Sequence, residues 1–68
     1  MYAIIHVDEK GQKRERHEQS NTGMLAVMAE IATRIIATGH GFTYAAGPLP
    51  SVSVDNGHRF YVERHTRH

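Results

Sequence analysis

Between Ser20 and Gly39 the chain carries an apolar run spaced for one face of an α-helix, and this run limits the fold more than any other feature. At about 100° per residue, Met24, Leu25, Val27, Met28, Ile31, Ala32, Ile35 and Ile36 fall on one side. Ala26, Ala29, Glu30, Thr33, Arg34 and Ala37 fall on the other. Ser20, Asn21 and Thr22 offer N-caps, Gly39 suits a left-handed helix end, and Gly41 frees the chain to turn into the next element. A stripe of this kind must be buried against another layer. In a chain of 68 residues there is room for one such core, so residues 1–68 are expected to form a single domain.

The remaining segments read as strands. Tyr2 to Asp8 is rich in Ile and Val and alternates Ala3, Ile5 and Val7 with Tyr2, Ile4 and His6. Asp8-Glu9-Lys10-Gly11 then supplies turn chemistry. Lys13 to Glu18 holds no apolar residue and must lie in solvent; an edge strand paired back on the first strand, protected by its own charges, is preferred over a loop. Phe42 to Ala45 is a further strand, closed by Gly47-Pro48-Leu49-Pro50, whose prolines cannot donate to a ladder. Ser51 to Val54 and His58 to His65 form a hairpin around Asp55-Asn56-Gly57. A three-residue loop with Gly57 left-handed sets Val52 opposite Phe60 and Val54 opposite His58, keeping one face apolar, whereas a two-residue loop would set Val54 opposite Arg59. The expected fold is α+β, in the order β-β-α-β-β-β: a four- to five-stranded antiparallel sheet with one amphipathic helix on one face.

Ala3, Ile5, Val7, Val52, Val54, Phe60 and Val62 are thereby expected to face the helix. The other face stays open and is expected to display Tyr2, Ile4, His6, Thr43, Ser51, Ser53, Arg59, Tyr61 and Glu63. Tyr and Arg combine large contact area with directional hydrogen bonding, which suits a binding surface. Binding is assigned to this face and the last hairpin, through Tyr2, His6, Asp55, Arg59, Tyr61 and Glu63.

Composition narrows the chemistry. Eight Lys and Arg against seven Asp and Glu give a net charge of +1, too balanced to attract a polyanion by bulk electrostatics. Three arginines stand against one glutamate between positions 57 and 68, however, so Arg59, Tyr61, Arg64 and Arg67 make an alternative nucleic-acid surface of basic groups around a stacking ring. There is no cysteine, which excludes a disulfide framework and thiolate metal sites and is compatible with a reducing compartment. Of six histidines only His65 and His68 lie close in sequence, and no His-x3-His helix pair occurs, so no metal site and no cofactor are expected. Ser51, Ser53, His58 and Asp55 cluster in the hairpin as turn chemistry, without an oxyanion hole or walled pocket. No P-loop or G-x-G-x-x-G is present. The chain is expected to be no enzyme. With no leader-like opening and no long apolar span, it is expected in the cytoplasm and off the membrane.

The Tyr2-Ala3-Ile4-Ile5 strand, the charged second segment, the single helix and the closing hairpin Asp55-Asn56-Gly57-His58-Arg59-Phe60-Tyr61-Val62 resemble, in layout, some small phage-encoded anti-CRISPR proteins. The resemblance implies a non-enzymatic inhibitor, of phage or mobile-element origin, that binds a CRISPR effector complex and blocks access of target DNA. Inhibitors that imitate DNA are strongly acidic. This chain is near neutral, so the implied contact rests on shape and on groups such as Glu63, Asp55, Tyr61 and Arg59. The functional expectation is a small interaction or inhibitor protein whose partner is a protein or a protein–nucleic-acid complex. A module binding nucleic acid directly, and a homodimer or other homo-oligomer joined through the open face, are the alternatives.

Overall fold

A computed structural model describes residues 1–65. The elements follow in the order β1 (Tyr2–Val7), β2 (Lys13–Glu18), α1 (Asn21–Ala37), β3 (Phe42–Ala45), β4 (Ser51–Val54) and β5 (Arg59–Arg64). The strands form one antiparallel sheet in the spatial order β2-β1-β5-β4-β3, so the fold is α+β, with five strands and one helix among the described residues. Among the described residues no helix is long and apolar enough to cross a membrane.

Local chemistry explains each joint. The Asp8 carboxylate accepts from the backbone N–H of Lys10 and of Gln12, both at 2.9 Å, and Gly11 takes φ +84°. This Asx-type turn sets Val7 opposite Lys13, which zips β2 onto β1 although β2 has nothing apolar to contribute. Those two amides, Gln12's first, also hold the Asp8 carboxyl below its ordinary range. Ser20 caps α1, its Oγ accepting from Gly23 N at 3.0 Å, and the Glu18 carboxylate lies beside the same first turn, where the helix dipole favours negative charge. Gly39, at φ +80°, ends the helix by donating to the Ile36 carbonyl.

The helix leaves the β2 edge and delivers the chain to the β3 edge, so it must cross the whole sheet. Seventeen residues rise about 25 Å, and four interstrand gaps add to about 19 Å, which allows an oblique crossing. Beneath it lies the core of Ile4, Met24, Val27, Met28, Ile35, Val52, Val54 and Val62, flanked by Tyr2, Ile31, Phe42 and Phe60. The β4–β5 register is the expected one, with Val52 opposite Phe60, Val54 N–H bonded to the His58 carbonyl, and Gly57 at φ +95°.

Two expectations are corrected. The first concerns β1, which lies the other way up: Tyr2, Ile4 and His6 face the helix, and Ala3, Ile5 and Val7 face away from it. Both sides of this strand are apolar enough to be buried, and both are. Ala3, Ile5 and Val7 are only 0, 3 and 5% exposed although no helix covers them. Their cross-strand neighbours on that face are Lys13, Glu15 and His17 of β2 and Arg59, Tyr61 and Glu63 of β5, all with longer side chains than Ala3 and Val7. A strand buried on both faces carries no alternation to read. The second concerns the helical stripe, which is narrower than expected. Leu25 and Ile36 are 42 and 64% exposed because they sit about 100° and 120° around the helix from Met24.

Candidate functional site

On the face away from α1, cross-strand pairing arranges side chains into rungs. Lys13, Val7, Arg59, Ser53 and Thr43 form one; Glu15, Ile5, Tyr61, Ser51 and Ala45 the next; His17, Ala3 and Glu63 the third. The result is an aliphatic valley on β1 between a charged ridge on β2 and the Arg59–Tyr61–Glu63 ridge on β5, with a low shelf of small residues on β4 and β3. Lys13 and Arg59 make one end of the face basic, and Glu63 makes the other acidic. His17 and His65 meet edge-on at the acidic end, ring centres 6.2 Å apart, beside Glu15 and Glu63.

Arg59, Tyr61 and Glu63 are thus brought together on one face. Tyr2 and His6 are not part of it, because the inversion of β1 carries them to the helix side. Asp55 is not part of it either. Its carboxylate accepts from Gly41 N at 3.0 Å and lies 3.2 Å from His40 Nδ1, tying the β4–β5 turn to the loop after α1. The nucleic-acid set is divided as well: Arg64 shares the helix-side parity of Phe60 and Val62, opposite Tyr2, and Arg67 lies outside the described residues.

Sequence reasoning missed a second constellation, at the end of the sheet where the β1–β2 and β4–β5 turns meet. His6 stacks on Phe60 with ring centres 4.3 Å apart, and its Nε2 lies 2.8 Å from His58 Nδ1. His58 Nε2 in turn contacts the Glu9 carboxylate at 2.6 Å. A polar cleft of about 270 Å³ opens here, lined by His6, Glu9 and His58 with Asp8, Gln12 and Arg14. Only the side-by-side placement of β1 and β5 unites residues this far apart in sequence. Among the described residues, no three metal-capable side chains converge on one point.

Neither a family model, nor a curated protein, nor a solved structure matches this chain. What the sites do must come from their own chemistry.

One hydrogen fits between His6 Nε2 and His58 Nδ1, one ring donating and the other accepting, so the bond cannot survive with both rings cationic. Burial, then the charges of His58 and Arg14, hold His6 below the ordinary 6.5, against the opposing pull of Asp8 and Glu9. The unfolded chain therefore takes up this proton first. The His6 contribution to stability is complete above about pH 6.5 and is lost as pH falls through that value toward the lower folded one. His6→Phe keeps the stacking and removes the titration. Thermal melts from about pH 7.5 to about pH 5.5 are expected to fall more steeply for the native chain than for this variant. Parallel slopes would mean that His6 does not couple protons to folding.

Proposed function

We propose that this chain is a non-enzymatic interaction protein that presents the valley-and-ridge face of its sheet to a macromolecular partner. The supporting observation is the line Arg59, Tyr61, Glu63 along β5, with Tyr61 half-buried between Ile5 and Ser51. A ring held in place by its rung loses little freedom on binding, and an arginine and a carboxylate on either side supply directional, charge-selective contacts. The mixed charge of the face favours a protein surface over bare nucleic acid, since Glu15 and Glu63 would repel phosphates beside Arg59. The resemblance in layout to anti-CRISPR proteins suggests a CRISPR effector complex as the first partner to present, with target-DNA binding as the readout. The absence of cysteine suits such a role in the cytoplasm.

The test is capture of a partner by the tagged chain, with and without nuclease, compared with Arg59→Ala and Tyr61→Ala variants. Nuclease-resistant capture of one defined partner is expected, weakened about thirtyfold or more by either substitution. Glu63→Ala, at an exposed position, serves as a third variant should loss of Tyr61 disturb folding. Capture that disappears with nuclease would transfer the face to nucleic acid. A dimer in light scattering that the same substitutions dissociate would make the partner a second copy.

A further inference from the structure

On the helix side of the sheet, away from that face, a groove of about 180 Å³ runs between α1 and β2. Its origin lies in the sequence of β2. Where the helix overhangs this edge strand, Lys13 to Glu18 offers no apolar side chain to fill the space, so Ile4, Val27, Ile31 and Phe60 are left as an apolar floor. Three arginines stand over that floor, in different electrostatic states. Arg34 is paired with Glu30 at 2.7 Å, and Arg16 has Glu18 at 3.7 Å. Arg14 has no carboxylate within 4.0 Å among the described residues and sits across from His6, at the junction of this groove with the polar cleft.

Glu15 and Glu30 also line the groove, and Asp8 and Glu9 line the adjoining cleft, but among the described residues none of them lies within 4.0 Å of the Arg14 guanidinium. An apolar floor beside such a group complements a ligand that is apolar at one end and anionic at the other. A guanidinium fork matches a carboxylate in both charge and shape. Size limits the apolar end: a cavity of about 150 Å³ holds a benzene ring, and drug-sized ligands occupy about 300 Å³ or more. We propose that the α1–β2 groove binds a small amphipathic carboxylate, its ring or short chain against Ile31 and Phe60 and its carboxylate on Arg14.

The probe is phenylacetate, titrated into the full chain while backbone and methyl resonances are followed, with phenethylamine and benzyl alcohol as cationic and neutral counterparts. A ligand of about ten heavy atoms is expected to bind in the low-millimolar range. Saturable shifts should be confined to Ile4, Val27, Ile31, Phe60 and their neighbours, and both counterparts should bind at least about tenfold more weakly. Arg14→Gln should weaken phenylacetate about tenfold or more while leaving benzyl alcohol unchanged, and Arg14→Lys, which keeps the charge without the fork, should fall between. Equal binding of the amine, indifference to Arg14, shifts centred on the opposite face, or no saturation by about 10 mM would each overturn the proposal. Groove resonances that move with protein concentration alone would assign it to a second copy and overturn it as well.

Discussion

Met28→Ala is expected to leave most of the chain unfolded at 25 °C. Met28 and Met24 are the largest side chains shut off completely from water, and both lie in the cluster that joins α1 to β1, β4 and β5. Truncating a buried Met removes its transfer free energy and leaves a cavity, together about 2–5 kcal/mol. A core of this size supplies about 3–5 kcal/mol of net stability. A loss in the upper part of the truncation range, as expected for a side chain that is fully enclosed, therefore brings the folded state to its midpoint or beyond. Urea titration followed by circular dichroism measures this directly. Ile36→Ala is the control, because that side chain projects into solvent: its removal is expected to cost under about 0.5 kcal/mol, with helix propensity slightly favouring alanine. A comparable loss from both substitutions would mean that the helix is rotated about its axis from the orientation described.

The contrast between Met28 and Ile36 also marks how far sequence patterning reaches. Helical spacing identified α1 and its ends, because Ser20 and Gly39 act through purely local hydrogen bonding. The β4–β5 register was legible for a different reason: β5 has one apolar and one polar side, and a slip of one residue would put Arg59 in the core. β1 offered no such asymmetry. Ile4 and Ile5 are adjacent and equally apolar, and the choice between them is made by which flank holds the helix and which holds long side chains. β2 was harder still, since its order comes from backbone pairing begun by the Asp8 turn, and its side chains do not report it. The His6–His58–Glu9 cluster and the Arg14 groove depend on strand neighbours in space, and no local pattern specifies those. Of the expected contact residues, the three on β5 therefore stay together, while Tyr2, His6 and Asp55 are separated from them.

Ile5→Asp tests whether β1 is buried on its second side as deeply as on its first. Ile5 points away from α1, toward the face on which a partner is proposed to dock, and it is nonetheless shut off from water. Its cross-strand neighbours are Glu15 and Tyr61. An aspartate there would be desolvated with no cation directly opposite it, Lys13 and Arg59 standing one rung away, and would lie beside the like charge of Glu15. The expected loss is more than about 3 kcal/mol, enough to abolish folding at neutral pH. Ile5→Lys removes the same apolar side chain, yet its stem can follow the valley outward and bring the ammonium to Glu15, so the loss should be about 1–3 kcal/mol. The difference between the two variants isolates the charge environment from the loss of packing. A loss below about 1 kcal/mol for Ile5→Asp would mean that water already enters the valley. The β5 ridge would then lose the rigid backing on which its use as a contact surface depends, because a Tyr61 ring free to move must be ordered at the moment of binding.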